Sequence, residues 1–369
     1  MRIGIPKEIK PQEGRAALLP RQVQRLTRAG HAVLVESGTG LLARASDQDY
    51  EAVGATVLPT AKEIFDSARL IVKVKEVLPP EYPLLRPEHI ILTNIHAAMN
   101  KEELDVFLRV GLIAISAENT HRFGSPNCVL AGEVGALEAV RLCLATYGGT
   151  GRHFMGHFGE PALKALVLGL GNVGRGAVRT LLGLGATVIG LDVFEGARKA
   201  AALDWHDRNL LVGDVTELER HLEDVDAVVN CVLWPKERPD HLITREMLGR
   251  LKPGAVIVDI SCDRAGAIET SRPTTWADPV YEVDGVRHFC VDNIPGAVPV
   301  TASAGYGEAL LDKILAIAAK GVVQACKDDP WLARGLTCAK GTLLLEEAAR
   351  YQQRDFTPVQ TWLEAGPMG

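Results

Sequence analysis

Several features that would assign this chain to a particular class are missing from its sequence. A formal net charge of -6 over 369 residues provides no basic surface for nucleic acid. No apolar run approaches the ~20 residues that are needed to cross a bilayer. Seven cysteines are scattered without a Cys-x-x-Cys pair, which favours reduced thiols that serve mainly as small core residues. We therefore expect neither a nucleic-acid nor a membrane partner.

We expect no secretory leader, and the sequence shows no internal repeat or low-complexity tract beyond its two α/β halves. Met1 to Ile5 leads directly into a predicted strand instead of a charged segment and an apolar signal region. A content of 47% hydrophobic and 23% charged residues is typical of a globular protein, and the length suffices for two domains. These observations predict a cytoplasmic protein.

A metal site is not indicated. His153 and His157 have the i, i+4 spacing of a ligand pair, but they lie in a glycine-rich segment without an accompanying cysteine or carboxylate ligand. We expect no bound metal.

The middle of the chain carries a dinucleotide-binding pattern. An apolar run, Ala165 to Leu168, leads into a G-x-G-x-x-G turn and then into a predicted helix, Arg175 to Leu184. The glycines permit close approach of the backbone to a pyrophosphate, and the helix N-terminus offers free N–H groups. From this turn we assign to the cofactor Gly169, Gly171, Asn172, Val173 and Gly174.

An acidic residue completes the pattern. The next predicted strand, Thr187 to Leu191, ends in Asp192, about 20 residues beyond the turn. A carboxylate at this position accepts hydrogen bonds from a ribose diol and repels a 2′-phosphate. The expected cofactor is therefore NAD rather than NADP.

The N-terminal third alternates short apolar runs with amphipathic segments, which predicts a parallel sheet covered by helices. It has no glycine-rich turn, so we predict that it binds the substrate. The predicted strands are Arg2 to Pro6, Ala32 to Glu36, Leu70 to Val74, Ile90 to Asn94 and Leu112 to Ser116, and the predicted helices are Arg21 to Ala29, Ala61 to Ser67 and Lys101 to Val110.

A helical pattern at Glu133 to Thr146 precedes the dinucleotide unit, which continues with apolar runs at 227–233, 255–260 and 288–291. The helical patterns Gly307 to Cys326 and Lys340 to Tyr351 do not extend its sheet, so we predict that they pack on the first unit. The predicted fold is α/β, with two Rossmann-like doubly wound parallel-sheet domains and an interdomain cleft. Residues 1–130 plus 300–369 form the predicted substrate domain, and 131–299 the NAD-binding domain.

Ligands bind open α/β sheets at the carboxyl ends of the strands. Lys75 follows the predicted strand Leu70 to Val74, His96 follows the next one, and Arg15 lies in the loop after the first. Lys73 and Lys75 bracket Val74, which predicts that both lie on one face of a buried strand and need a partner or a ligand. A structural role for His96 at a strand end stays open.

The second domain offers candidates at the same positions. Asp263 follows the apolar run 255–260, and Asp259 within that run is a weaker candidate. Asn293 ends the last predicted strand, where its amide suits nicotinamide or substrate, although Asp-Asn pairs also favour turns. At the end of the run 227–233, Val232 and Leu233 are assigned to the cofactor.

The chain resembles the alanine dehydrogenase family, which is related to the α subunit of nicotinamide nucleotide transhydrogenase. The likeness extends over nearly the whole chain. The matching segments are Met1 to Glu8 with Arg15 and Pro20, Lys73 to Glu76, Thr93 to His96, Gly169 to Gly174, Lys252 to Ala255, Ser271 to Thr275 and Asn293 to Pro299.

The resemblance implies reversible oxidative deamination of L-alanine to pyruvate and ammonia with NAD, in a homo-oligomer of two to six subunits. Arg15 would hold the substrate carboxylate, and Lys75 would polarise the oxo group. His96 and Asp263 correspond to the acid/base pair, for which histidine suits the proton shuttle because imidazole ordinarily titrates near neutral pH.

Two departures from the family pattern leave alternatives open. An aromatic residue is usual at Asn94, and a Met-Ser pair is usual at Ala131-Gly132. Both changes predict a wider substrate site, with Asn94 lining it, and a longer substrate such as lysine, as in opine-type or saccharopine dehydrogenases. A transhydrogenase-like NAD-binding subunit is the other alternative, and the presence of Lys75 with His96 argues against it.

Overall fold

A computed structural model describes residues 1–121, 127–206, 208–235, 238–262 and 266–365. The chain divides into two compact units, one formed by Met1–Asn127 with Gly296–Gly369 and the other by Cys128–Pro295. Each unit is built around one sheet.

The first segment alternates strands and helices. Its elements are β1 (Arg2–Ile5), α1 (Pro20–Arg28), β2 (Ala32–Glu36), α2 (Asp47–Ala52), β3 (Thr56–Leu58), α3 (Ala61–Ser67), β4 (Leu70–Val72), β5 (Ile90–Thr93), α4 (Lys101–Val110) and β6 (Ile113–Ser116).

The second unit continues the alternation. Its elements are α5 (Cys128–Leu142), β7 (Lys164–Leu168), α6 (Asn172–Leu184), β8 (Thr187–Asp192), α7 (Glu195–Asp204), β9 (Leu210–Asp214), β10 (Ala227–Asn230), β11 (Val256–Asp259), β12 (Val280–Val283) and β13 (Val286–Phe289).

The last segment returns to the first unit. Its elements are α8 (Pro299–Asp328), α9 (Pro330–Arg334), β14 (Leu336–Ala339), β15 (Thr342–Leu343), α10 (Glu346–Gln352) and α11 (Val359–Ala365). Gly321, at φ +76°, interrupts the helical geometry of α8.

The predicted α/β class is confirmed. The first sheet has the order β15-β14-β6-β5-β4-β1-β2-β3, and the second has the order β12-β13-β11-β10-β7-β8-β9. Both are parallel except at one edge, where β14, β15 and β12 pair antiparallel. The central strands are continuous apolar runs such as Ile90-Ile91-Leu92 because both of their faces are buried. Each such side chain contributes about 1.5–3 kcal/mol on burial.

Some predicted boundaries are wrong. The segment from Lys340 is not helical, because Lys340 (φ +49°) and Gly341 (φ +80°) form the turn of the β14–β15 hairpin and the helix begins at Glu346. Strand β4 ends at Val72, so Lys73 and Lys75 are not on one face of a strand. Strands β3, β9 and β12 were not predicted, since their residues are largely half-buried or exposed.

Within the described ranges, no helix combines the length and the apolar character that a membrane-spanning helix needs.

Candidate active site

The loop that carries Lys75 lies at the carboxyl edge of the first sheet, where β1, β4 and β5 are neighbours. Side chains from the adjoining strand ends bind its backbone. Glu8 Oε1 accepts the N–H groups of Val74 (2.6 Å) and Lys75 (3.3 Å). The three carbonyls of the loop each accept one side-chain hydrogen bond. Tyr306 Oη donates to the carbonyl of Lys73 at 2.9 Å, Asn94 Nδ2 to that of Val74 at 2.7 Å, and Thr93 Oγ1 to that of Lys75 at 2.6 Å. The loop is thereby held from several segments of the chain.

Lys73 is fully buried beside two carboxylates. Its Nζ lies 2.8 Å from Glu81 Oε1 and 3.2 Å from Glu8 Oε2, so the partner that its burial requires is present. Burial acts to lower the pKa of Lys73, but the two carboxylates outweigh it and hold the pKa above its ordinary value. Burial raises the pKa of Glu8, and Lys73 opposes that shift.

Lys75 belongs to a second chain of charges. Its Nζ lies 3.4 Å from Glu76 Oε2, and Lys10 Nζ donates to Glu76 Oε1 at 3.0 Å. Burial opposes ionisation of Glu76, yet the two lysines lower its pKa to about 2. The acid is therefore ionised near neutral pH, and it favours the cationic form of Lys75.

Arg15 is buried and is oriented by a residue that the sequence analysis missed. Glu13 accepts from Arg15 Nε at 2.7 Å and from Nη2 at 2.6 Å, a two-point contact that sets the plane of the guanidinium. The backbone N–H of Arg15 also donates to Glu13, at 2.9 Å. An acidic residue two positions before Arg15 in the same loop was the available signal.

His96 follows β5 in a left-handed conformation, with φ +51°, which costs a non-glycine residue about 1 kcal/mol or more. Glu118 stabilises this conformation by accepting the N–H groups of His96 at 2.7 Å and Ile95 at 3.2 Å. The imidazole is half exposed, and its Nδ1 lies 3.9 Å from Glu118 Oε1. A strained backbone carrying an accessible imidazole is consistent with a functional position.

Tyr306, on α8, donates to the Lys73 carbonyl of the Lys75 loop. Burial raises the pKa of its hydroxyl well above the ordinary value. The predicted substrate residues Arg15 and Lys75 follow β1 and β4, which are neighbours in the first sheet. Neither Glu118 nor Tyr306 carries a sequence signal, because each is distant along the chain from the residues it contacts.

The second unit has the features that an NAD site requires. A Cβ on Gly174 would lie 1.8 Å from the carbonyl oxygen of Gly169, so only glycine allows this turn to approach the helix so closely. A Cβ on Gly171 would meet nothing within 4 Å, which leaves the N-terminus of α6 open to a pyrophosphate. Asn172 and Val173 begin that helix. These residues fit the dinucleotide.

Asp192 ends β8 and is largely buried. Its Oδ2 accepts the N–H of Leu170 at 2.6 Å, and its Oδ1 accepts the N–H of Phe194 at 2.8 Å. The carboxylate therefore also fastens the glycine turn to the end of β8, a role that the sequence did not indicate.

The remaining candidates of this unit follow the ends of β10, β11 and β13. Val232 donates its N–H to Asn230 Oδ1 at 3.2 Å, and Leu233 is 78% exposed. Asn230 Nδ2 in turn donates to Asp259 Oδ1 at 2.8 Å. Asn293 is buried, and its carbonyl accepts from Trp276 at 3.0 Å. Asp263 lies outside the described residues.

The two departures from the family pattern differ in structure. Gly132 packs against α6, and a Cβ there would lie 1.8 Å from the carbonyl oxygen of Val173. The expectation that Gly132 widens the substrate site is therefore wrong, because this glycine permits close contact between α5 and α6. Asn94 follows β5 and is buried against the Lys75 loop, where its Nδ2 binds the Val74 carbonyl. Its Oδ1 has no hydrogen-bond partner among the described residues.

No group of three His, Cys, Asp or Glu side chains suited to a metal ion occurs within the described part of the chain. The rings of His153 and His157 are 6.3 Å apart between centroids.

The chain is similar to proteins of one family over most of its length. The family described as Alanine dehydrogenase/PNT matches through its N-terminal domain at residues 4–130 and through its C-terminal domain at residues 136–346. The chain belongs to the alanine dehydrogenase/PNT family. An alanine dehydrogenase of Mycolicibacterium smegmatis is 34% identical over 98% of this chain and 100% of its own length.

Solved structures of the family have the same fold. An L-alanine dehydrogenase matches with a TM-score of 0.88 and 35% identity, over 96% of this chain and 99% of its own. A transhydrogenase from Sinorhizobium meliloti matches with a TM-score of 0.74 and 27% identity, over 94% of this chain and 99% of its own.

Proposed function

We propose that this protein is an NAD-dependent alanine dehydrogenase that interconverts L-alanine and water with pyruvate and ammonia. The observation that carries the proposal is the Lys75 loop, whose carbonyls and N–H groups are held by surrounding side chains at the edge where β1, β4 and β5 end. A membership in the alanine dehydrogenase/PNT family over both domains supports it.

In the proposed site Arg15 binds the substrate carboxylate. Glu13 accepts from Nε and Nη2 of Arg15 and so sets the plane of a guanidinium whose planar shape suits two-point binding of a carboxylate. Lys75, kept cationic by Glu76, donates to the oxo oxygen of pyruvate and so stabilises negative charge as it develops.

His96 is the proposed proton shuttle, with Asp263 as its partner in acid/base chemistry. The nicotinamide of NAD, when bound, would supply the acceptor for the hydride that leaves the alanine Cα. His96 then takes a proton from the water that adds to the resulting imine and returns one to the departing ammonia. The half-exposed imidazole suits an exchange of protons with water.

We expect replacement of Asp192 by alanine to weaken NAD binding about tenfold and to narrow the preference for NAD over NADP without abolishing turnover. The variant loses both the charge that repels a 2′-phosphate and the acceptor that holds Leu170. Isothermal titration calorimetry with NAD and NADP measures both effects. Asp192→Asn is the comparison variant, since it removes the charge and keeps one of the two acceptor oxygens that bind the N–H groups of Leu170 and Phe194. Equal affinity of the wild-type protein for NAD and NADP would contradict the assignment.

The substrate is tested by the initial rate of NADH formation with alanine, 2-aminobutyrate, norvaline, ornithine and lysine. We expect kcat/KM to be highest for alanine. A preference for ornithine or lysine would instead support a longer substrate, which Asn94 and Ala131, both smaller than the usual family residues, still favour. If no amino acid supports NADH formation while NAD binds, the proposed deamination is wrong and the transhydrogenase-like alternative gains support.

We further propose a cytoplasmic homo-oligomer. All seven cysteines are unpaired and five of them are buried, as suits a reducing compartment. Met155 and Phe158 are 62% and 96% exposed, and apolar side chains of this kind favour a subunit contact.

A further inference from the structure

The ends of β8 and β9 present two carboxylates side by side. Asp192 and Asp214 are register partners in these parallel strands and are the last residue of each. The first is the residue proposed to bind the adenosine ribose. The second lies in the adjacent strand, and its side chain is about one third exposed.

An arginine connects the two strand ends. Arg198, in the second turn of α7, donates from Nη1 to the carbonyl oxygen of Asp192 at 2.6 Å and to Asp214 Oδ2 at 2.6 Å. Its side chain is 23% exposed. A guanidinium at the strand end that carries the ribose-binding acid is the kind of group that accommodates a 2′-phosphate in NADP-binding proteins of this fold class.

Asp214 is itself held in place. Its Oδ1 accepts the N–H of Thr216 at 3.1 Å and the hydroxyl of Thr216 at 2.9 Å. The hydrogen bonds from Thr216 lower the pKa of Asp214, and Arg198 lowers it further, so Asp214 is ionised at neutral pH. Glu217 adds a third carboxylate nearby, since its Oε1 accepts the N–H of Asp214 at 3.3 Å.

We propose that Asp214 is a specificity-determining residue for the coenzyme, because it holds the guanidinium of Arg198 and so withholds the cation that a ribose 2′-phosphate needs. The inference rests on the proposed NAD-dependent function and extends it. Selectivity then has two components: Asp192 repels the phosphate, and Asp214 removes its natural counter-ion. Asp214 acts through Arg198 and needs no contact with NAD.

The test is calorimetric binding of NAD and NADP to Asp214→Ser and Asp214→Asn. Serine and asparagine both cap the segment that begins at Val215, so local structure is retained, and serine is too short to reach Arg198. We expect NADP affinity to rise about tenfold, the effect of one charge-assisted hydrogen bond to phosphate, while NAD affinity stays within about twofold. Addition of Arg198→Met to Asp214→Ser should abolish the gain.

Asp204→Asn is the matched control. Asp204 lies at the other end of α7 and pairs with Arg175 of α6, so its replacement should leave both affinities unchanged. An unchanged ratio of NADP to NAD affinity in both Asp214 variants overturns the inference, as does a gain that persists without Arg198. These outcomes leave the proposed dehydrogenase intact if the wild-type protein binds NAD. A wild-type protein that binds no NAD would instead contradict the proposed function and this inference together.

Discussion

Replacement of His96 by alanine is expected to lower kcat by about 10²–10⁴-fold, the usual contribution of a general acid/base, and to leave the NAD dissociation constant nearly unchanged. The imidazole is half exposed and follows β5, whereas the glycine turn belongs to the other unit. Steady-state kinetics with alanine and calorimetry with NAD measure the two quantities separately.

The control for His96 takes account of its backbone. At φ +51° alanine adds strain of its own, whereas asparagine tolerates the left-handed region and removes only the imidazole. We therefore expect His96→Asn to be as inactive as His96→Ala, and added imidazole to restore part of the activity of both. A nearly normal kcat in His96→Asn would show that His96 is structural.

Replacement of Lys73 by methionine is expected to destabilise the first unit by about 3–5 kcal/mol, the cost of breaking a buried ion pair from one side. Glu8 and Glu81 would remain buried without their shared cation. Because Glu8 also binds the Lys75 loop, we expect kcat to fall as well. Hydrogen exchange of the β1 and β4 amides measures the free energy of opening within this unit.

The matched control neutralises the partners too. In the triple variant Lys73→Met, Glu8→Gln, Glu81→Gln no charge is left buried at this place, so most of the lost stability should return. If Lys73→Met alone changes the opening free energy by less than about 1 kcal/mol, the three groups do not depend on one another as the structure indicates.

Prediction from sequence worked best for features that depend on neighbouring residues. The bounds of α3 and α4 were predicted as the structure has them, and β2 likewise, because apolar period and flanking polar residues are local signals. The Lys340–Gly341 turn was missed because the helical pattern that follows it was extended back to Lys340.

The candidate site was predicted in part. Arg15, Lys75 and His96 were chosen because they follow strands, and the strand order β5-β4-β1 places those strand ends together. The role of Gly132 was predicted wrongly. A glycine in place of a larger residue can either enlarge a cavity or allow a neighbouring helix to pack more closely, and the sequence does not distinguish the two. Only the distance to Val173 decides between these.

By itself, the sequence determined the α/β class, the dinucleotide turn and the acid that follows it. These features depend on backbone sterics and on the spacing of apolar side chains within a few residues of one another. They can therefore be predicted without knowledge of contacts between distant parts of the chain. The tertiary structure alone decided which groups hold the candidate residues: Glu13 binds the Arg15 guanidinium, Glu118 binds the backbone N–H of His96, Tyr306 binds the Lys75 loop, and Asp214 binds Arg198. A hydrogen bond tolerates a variation of only a few tenths of an ångström in the distance between donor and acceptor. For residues as far apart along the chain as Lys73 and Tyr306, only the packed fold sets that distance.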